Sequence, residues 1–275
     1  MDKNKKLERE IMGSIPEFIL CTPTADSVKA STIECVERAR ASYLSEGKYF
    51  PWTLTRGDGK ARSRSIIAST MLRNWADIPY LIFLDSDIIF KVEDLKKLHS
   101  DLVAGYDLIG GVFAVRGGTQ LSSYDGGDNG QVLVDGKIRE FEYIASGFMG
   151  ISQRLLQKMV DEIPLPLLHP DTIKFYPFFE EKEFPNRDGE SIFLSEDYEF
   201  CEKARKVGEK CYLDTSIQLG HIGEYDYRLA DVLKYQRENN GKGQAKDLSK
   251  REKKASEIKK ASEIKKTEGE FVKIA

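Results

Sequence analysis

Two aspartates at the end of an apolar run are the residues of this chain best suited to chemistry. Asp85-Ser86-Asp87 follows the run Tyr80–Leu84, which begins after Pro79 and is typical of a strand buried on both faces. Alternation along a strand predicts that both carboxylates point the same way, where they repel unless a divalent cation lies between them or one is protonated. The pattern predicts a metal site; the alternative is a turn that caps the next helix.

One of the three histidines is placed to be a third metal ligand. His221 stands in the segment Gly220–Gly223, where glycines let the backbone approach a ligand. An imidazole beside two carboxylates suits Mn²⁺ or Mg²⁺ better than a structural zinc site. Taken alone, a histidine is usually packed or solvated, and His99 and His169 keep that interpretation.

Charged residues near two predicted helix starts are further candidates. Glu196 and Asp197 open a helix after Ser195, where acids complement the helix dipole or present a carboxylate to an acceptor hydroxyl as a general base. Arg62 and Arg64 lie near the start of an earlier helix, where arginines can hold a phosphate or a ribose. Solvent-exposed basic residues on a helix are commoner, so a structural alternative stays open for both pairs.

Strands and helices alternate along the first half of the chain. We expect strands at 18–22, 51–55, 80–84 and 107–113, and helices from Asp26 or Ser27 to Tyr43, at 61–75 and at 92–103. This order predicts an α/β, Rossmann-like fold with a mostly parallel central sheet and helices on both faces. Because ligands bind beyond the carboxyl ends of the strands in such sheets, Thr22, Pro23, Asp85 and Asp87 should share one edge.

The second half of the chain has a different pattern. An Asp-Gly pair at 135–136 predicts a small antiparallel hairpin between strands at 131–134 and 137–143. Residues 146–150 indicate a tight segment with an accessible backbone. Residues 163–190 hold five of the nine prolines and predict a long functional loop or lid.

The composition is typical of an ordinary soluble protein with a sizeable core. The 275 residues carry a formal net charge of -3; residues 246–275 contribute +4, and the remaining -7 argues against a nucleic-acid binder. No apolar stretch is long enough to span a membrane and no signal peptide opens the chain, so we expect a cytoplasmic protein. Four cysteines without CxxC spacing predict buried, reduced thiols.

The last residues form a region of their own. Ala-Ser-Glu-Ile-Lys-Lys occurs at 255–260 and again at 261–266, which predicts a frayed charged helix or disorder. The alternatives are a helix in peripheral contact with a membrane or a helix that binds a partner. We therefore expect one domain at 1–245 and a charged tail at 246–275.

Together, these motifs resemble those of GT-A fold glycosyltransferases, which transfer a sugar from a nucleotide-diphosphate donor. The similar segments are residues 62–65 for the arginine-bearing helix, Asp85–Asp87 for the DxD motif, residues 146–149 for the acceptor side, Glu196-Asp197 for the late acidic motif and His221 for the late histidine. The resemblance covers residues 16–228 and leaves the loop at 163–190 without a counterpart.

The resemblance implies a metal-dependent hexosyltransferase. Mn²⁺ or Mg²⁺, held by Asp85, Asp87 and His221, would bridge the donor's diphosphate and neutralise charge on the leaving nucleotide. Thr22 and Thr24 would contact the nucleoside. The nucleotide sugar as a whole would lie against Thr22, Pro23, Thr24, Arg62, Arg64, Asp85 and Ser86.

The same resemblance assigns the catalytic and acceptor sides. Asp197, with Glu196 beside it, would deprotonate the acceptor hydroxyl in an inverting enzyme or stabilise an oxocarbenium-like state in a retaining one. Gly147 and Phe148 would face the acceptor, a hydroxyl of a glycan, lipid or protein. The sequence leaves the donor, the acceptor and the stereochemical outcome open.

Two other interpretations compete with this one. Haloacid-dehalogenase-like phosphatases also place Asp-x-Asp after a buried strand, but their diacid usually lies near the amino terminus and is followed by Gly-Thr or Thr. Here it begins at residue 85 and Ile88-Ile89 follows it. The second is a non-catalytic module that binds sugars or nucleotides on the same fold.

Overall fold

The computed structural model describes residues 15–57, 59–124, 134–169, 171–185, 189–223 and 226–238. The helices are α1 (Ala30–Ser45), α2 (Lys60–Asn74), α3 (Val92–Val103), α4 (Gln153–Glu162) and α5 (Glu196–Lys206). The strands are β1 (Ile19–Thr24), β2 (Trp52–Arg56), β3 (Tyr80–Leu84), β4 (Ile88–Ile89), β5 (Leu108–Val112), β6 (Ile138–Phe141), β7 (Phe148–Ser152), β8 (Lys182–Pro185), β9 (Ser191–Leu194), β10 (Cys211–Gln218), β11 (Gly220–Ile222) and β12 (Asp226–Tyr227).

Seven strands form the central sheet in the order β2-β1-β3-β7-β5-β10-β6. β2, β1, β3, β5 and β10 run in one direction, whereas β7, between β3 and β5, and β6, at one edge, run the opposite way. The α/β fold with a mostly parallel sheet is therefore confirmed. Because β7 runs antiparallel, the loop before it reaches the sheet edge at which β1 and β3 end.

Helices cover both faces of the sheet, as expected. Along β3, Leu81 and Phe83 belong to the core that includes side chains of α2, α4 and α5. Ile82 and Leu84 belong to the opposite core, with side chains of α1 and α3. All four are fully buried, and each such burial stabilises the fold by about 1.5–3 kcal/mol.

α1 begins later than the sequence predicts, at Ala30 and not near Asp26 or Ser27. Thr24 Oγ1 donates to the carbonyl oxygen of Ser27 at 2.7 Å, and the Lys29 amide donates to that of Ser86 at 2.8 Å. These bonds fix the residues after β1 in a non-helical path and join them to the end of β3.

The strand predicted after the turn at residues 135–136 is confirmed as β6. β6 pairs antiparallel with β10, and residues 131–133 lie outside the described part of the chain. The predicted turn is present, because Gly136 has a φ of 77° and the Lys137 amide donates to Asp135 Oδ1 at 3.3 Å. The Lys137 amide also donates to Thr215 Oγ1 at 2.9 Å, so the strand that leaves the turn is directed to β10.

The connection at 163–190, predicted as a long functional loop or lid, contains regular structure and buried side chains. β8 and β9 form a hairpin, and Phe178 and Phe179 are buried in the core. Ser65 on α2 clamps the backbone of Phe179, accepting from its amide at 2.9 Å and donating to its carbonyl at 3.0 Å. The segment before the hairpin is therefore part of the packed structure of the domain.

The four cysteines are buried free thiols, as expected. The chain divides into two compact units, Met1–Leu229 and Ala230–Ala275. In the second unit residues 230–238 are helical, while the repeat at 255–266 lies outside the described residues, and the boundary at 245 stays a prediction. Within the described ranges, no helix has both the length and the apolar character needed to cross a membrane.

Candidate functional site

The diacid lies in a turn and not on the strand itself. β3 ends at Leu84, and the Ile88 amide donates to the carbonyl oxygen of Asp85 at 3.3 Å, which closes the turn. The extended backbone on which the prediction of a shared direction rests ends before the two aspartates. Each aspartate has its own cationic partners.

Backbone hydrogen bonds from three other segments hold this turn in place. The three bonds are Asp85 N to Gly147 O at 2.9 Å, Lys29 N to Ser86 O at 2.8 Å and Ile222 N to Asp87 O at 2.8 Å. The turn therefore joins the loop after β1, the loop before β7 and strand β11. Contacts within the protein therefore hold its position.

Asp87 and His221 meet because β4 pairs with β11 in a small second sheet. His221 lies opposite Ile88, the residue after Asp87, and its Nε2 is 3.5 Å from Asp87 Oδ2. The Arg116 guanidinium donates to the same oxygen. Burial acts to raise the pKa of Asp87, but the hydrogen bonds from His221 and Arg116 lower it to about 2.

A backbone carbonyl sets the tautomer of His221. Its Nδ1 lies 2.9 Å from the carbonyl oxygen of Ala114, which can only accept, so Nδ1 carries a hydrogen and Nε2 faces Asp87. Burial acts to lower the pKa of His221, but the bonds to Asp87 and Ala114 raise it above its ordinary value. Deprotonated, this ring offers an Nε2 lone pair beside a carboxylate.

Asp85 belongs to a different cluster, centred on Arg64. The Arg64 Nη2 lies 2.5 Å from Asp85 Oδ1, its Nη1 donates to Glu196 Oε1, and Lys60 Nζ is 3.7 Å from Asp85 Oδ2. Arg64 is 1% exposed and its guanidinium lies 5.9 Å from the Phe83 ring centroid. Arg64 is therefore engaged by two carboxylates of the protein, and its predicted contact with the donor stays a prediction.

Arg64 and the carboxylates around it shift one another's pKa values. Burial acts to lower the pKa of Arg64, but the charges of Asp85, Glu196 and Asp197 raise it. Burial raises the pKa of Glu196, against the lowering effect of Arg64. Glu196 is thus held in an ion pair with Arg64 and not presented to a substrate.

Asp197 is fixed at the first turn of α5. Its Oδ1 accepts from Ser195 Oγ at 2.5 Å and from the Tyr198 amide at 3.0 Å. Its Oδ2 has longer contacts, with the Ser146 amide at 3.2 Å and Ser146 Oγ at 3.5 Å. Asp197 is half-buried, and Oδ2 is the oxygen better able to accept from a further group.

The structure brings two of the three predicted metal ligands together. Among the described residues, no group of three or more His, Cys, Asp and Glu side chains could hold a metal ion. Asp87 and His221 converge, whereas Asp85 turns toward Arg64 and Lys60. The predicted triad of protein ligands is therefore a pair in this arrangement.

The predicted nucleoside contacts at the end of β1 are engaged within the protein. Thr22 is fully buried and accepts from the Trp52 indole at 3.0 Å, while Thr24 is 8% exposed and donates to Ser27 O. Pro23 is buried between them, and Ser86 is half-buried. Both threonine hydroxyls are thus engaged within the protein, and their contact with a nucleoside stays a prediction.

The predicted acceptor segment is packed and not accessible. Phe148 is fully buried, with its ring centroid 5.4 Å from that of Phe90. A Cβ on Gly147 would lie 2.6 Å from Phe113 Cζ, so a side chain there would collide with the ring that packs edge-on against His221 at 5.6 Å. Gly147 supplies space behind the site, and neither residue offers a side chain to an acceptor.

Arg62 and the other two histidines lie against other partners. Arg62 is 6.0 Å from the Phe175 ring centroid, and His169 stacks on the same ring at 5.5 Å. His99 is buried beside Tyr43 and Phe18, as its structural interpretation predicts.

Two residues of the site, Arg116 and Lys60, were missed from the sequence. Arg116 follows the carboxyl end of β5, so the rule that ligands bind at such ends could have identified it. Lys60 gives no comparable signal, because its partner Asp85 is distant in sequence.

Comparisons with known proteins bear on the fold. No protein-family model matches the chain, and no curated protein matches its sequence. Among solved structures it is similar to A197 from STIV, with a TM-score of 0.53 and 18% identity over 78% of this chain and 91% of that chain. This similarity supports the α/β fold and carries no information about activity.

Two transferase structures overlap more loosely. One is a glycosyltransferase involved in glycosylation of the major capsid of PBCV-1, with a TM-score of 0.28 and 12% identity over 51% of this chain and 62% of that one. The other is assigned as a glucose-1-phosphate thymidylyltransferase from Bacillus anthracis, with a TM-score of 0.28 and 11% identity over 55% and 56% of the two chains. At such scores neither overlap indicates the function of this chain.

Proposed function

We propose that this chain is a metal-dependent glycosyltransferase of the GT-A type, which moves a hexosyl group from a nucleotide-diphosphate sugar to a hydroxyl. The observation that carries the proposal is one connected set of groups at the carboxyl edge of the sheet. The Asp87–His221 pair is joined through the 85–87 turn to Arg64, Glu196 and the start of α5. This edge is where α/β sheets bind ligands.

Asp87 and His221 fit a hard divalent cation. With a pKa of about 2, Asp87 is ionised at neutral pH, and the Ala114 carbonyl directs the lone pair of neutral His221 toward it. These two residues would hold Mn²⁺ or Mg²⁺, and oxygens of the donor or of water would complete the coordination. When bound, such an ion supplies positive charge against the diphosphate leaving group.

Asp197 would act on the acceptor side. Its Oδ1 is held by Ser195 and Tyr198, so the carboxylate cannot rotate freely, and Oδ2 is left to accept a proton from a hydroxyl or to face a developing positive charge. The anomeric configuration of the product would distinguish these two roles. Glu196 would act indirectly, by holding Arg64 and hence Asp85.

The phosphatase alternative is disfavoured by the state of the two aspartates. Hydrolysis of a phosphate ester by a diacid needs one carboxylate as nucleophile and the other as proton donor. Asp85 is paired with Arg64 and Lys60, and a carboxyl with a pKa of about 2 is a poor proton donor at neutral pH.

The test compares turnover with donor binding in one variant. Asp197→Asn keeps the size of the side chain but removes the charge, so we expect release of nucleoside diphosphate from the donor to fall about 10²-fold or more while the thermal shift by donor and Mn²⁺ persists. Asp161→Asn, an exposed aspartate of α4 that bonds only Gln157 among the described contacts, is the matched control. Unchanged turnover in Asp197→Asn would overturn the catalytic role of Asp197. Donor binding without turnover in the unmodified protein would support the non-catalytic module instead.

A further inference from the structure

A guanidinium occupies the oxygen of Asp87 that faces His221. Arg116 Nη2 donates to Asp87 Oδ2, and His221 Nε2 lies 3.5 Å from that same atom. Asp87 is 7% exposed as a side chain, whereas the Arg116 side chain is 63% exposed. A buried carboxylate is thus covered by a cation that solvent reaches.

The side chain of Arg116 is the movable part of its turn. The Val115 amide donates to Gln120 O at 3.0 Å and the Gly118 amide to Val115 O at 3.0 Å, so the backbone around it is closed by hydrogen bonds. Gly117 and Gly118 have φ values of 106° and 67°, which fix a tight turn. Arg116 can therefore leave Asp87 by rotation about its side-chain bonds alone.

We propose that Arg116 competes with the metal for Asp87 and transfers to the donor's diphosphate when metal and diphosphate bind together. This inference rests on the proposed function, since it assumes a cation at Asp87 and His221. It adds a residue that would bind the donor and a reason for metal and donor to bind cooperatively.

Two electrostatic effects would couple binding of the metal to binding of the diphosphate. Without a diphosphate, a divalent cation at Asp87 must displace the guanidinium from a well-made ion pair, and the two positive charges repel. With a diphosphate present, the displaced guanidinium has new anionic oxygens, which arginine binds well. Diphosphate and metal must then strengthen each other's binding by the same factor.

The chain contains a matched control for Arg116. Arg154 is also 63% exposed and also pairs with a largely buried carboxylate, Asp107, which is 11% exposed as a side chain. Asp107 precedes β5 and lies at the amino end of that strand, at the edge of the sheet opposite to the site. Arg154 also lies 3.5 Å from Glu209 Oε1, so Arg154→Gln removes the ion pairs of an equally exposed arginine without touching Asp87.

The experiment measures binding by calorimetry with two probes, MnCl₂ alone and a preformed Mn²⁺–pyrophosphate complex. We expect Arg116→Gln to bind Mn²⁺ alone about fivefold tighter and the pyrophosphate complex about fivefold weaker than the unmodified protein. Arg154→Gln should leave both affinities within about twofold. Pyrophosphate carries the diphosphate charge without requiring knowledge of the base.

The outcomes separate this inference from the proposed function. If the unmodified protein binds both probes but the two affinities of Arg116→Gln are unchanged, or shift in the same direction, the role of Arg116 is overturned and the metal site stands. If the unmodified protein binds neither probe, the metal site itself is overturned and the role of Arg116 with it.

Discussion

At the scale of single residues, Arg64 is the centre of the site. It is the largest fully buried side chain, and it joins Asp85 after β3 to Glu196 at the start of α5. The sequence indicated an arginine near a helix start but not its burial, because its partners are 21 and 132 residues away. A buried arginine between two carboxylates fixes their positions, and breaking such a set is costly.

Arg64→Leu should destabilise the fold by about 3–5 kcal/mol, because it leaves the buried Glu196 without its cation and the half-buried Asp85 with only the exposed Lys60. Urea unfolding monitored by tryptophan fluorescence measures the loss. Combining Arg64→Leu with Asp85→Asn and Glu196→Gln should restore part of it, since the uncompensated charges are then removed. Arg73→Leu, an exposed arginine of the same helix that bonds Lys174 O, is the control, and an equal cost in both single variants would contradict this account.

At the scale of elements, the sequence predicted most of the strands and helices but not how the sheet is completed. α2 and α3 lie within a residue of their expected limits, because their apolar periodicity is local. The antiparallel insertion of β7 between β3 and β5 was not predicted, since strand order depends on contacts between distant segments. The loop that precedes β7 nevertheless supplies Gly147 O and Ser146 to the site.

We expect Ser65 to hold the segment 171–180 against α2. Ser65→Ala would leave the buried amide and carbonyl of Phe179 without their partner, at a cost of about 1–3 kcal/mol. Hydrogen exchange at the Phe179 amide should accelerate more than exchange in β3. Thr70→Ala is the control, because Thr70 Oγ1 bonds only the Ile66 carbonyl of its own helix among the described contacts. Equal exchange at Phe179 in both variants would show that the serine does not hold the segment.

At the scale of the whole molecule, two buried carboxyls between α3 and β10 should shape stability against pH. Asp101 and Asp214 share Lys97. Burial, with a hydrogen bond that protonated Asp101 donates to the Asp214 carboxylate, raises the pKa of Asp101 to about 6. Burial acts to raise the pKa of Asp214 also, but Lys97 and Ser216 lower it. The folded state thus keeps a proton on Asp101 where the unfolded state has released it.

The sign of this effect follows from linkage. The contribution of Asp101 is fully present below its unfolded pKa, near 4, and is lost as pH rises toward about 6. Asp101→Asn mimics the protonated form. Its effect on the free energy of unfolding should therefore be more stabilising at pH 8 than at pH 4, by about 1–2 kcal/mol. This difference is smaller than the full linkage value because Lys97 is partly exposed. Denaturant unfolding at both pH values measures this. If the free energies of unfolding of the variant and the unmodified protein differ by the same amount at both pH values, the role of Asp101 is contradicted.

The central claim is that the edge of the sheet at Asp87 and His221 binds a nucleotide-diphosphate sugar together with a divalent metal. The most direct test is the unfolding temperature in a panel of nucleoside diphosphates and their sugars, with and without Mn²⁺. One nucleotide should raise it by about 5 °C at a hundredfold excess over its Kd, only when Mn²⁺ is present and not in Asp87→Asn. No shift with any member of the panel, or the same shift in Asp87→Asn, would contradict the claim.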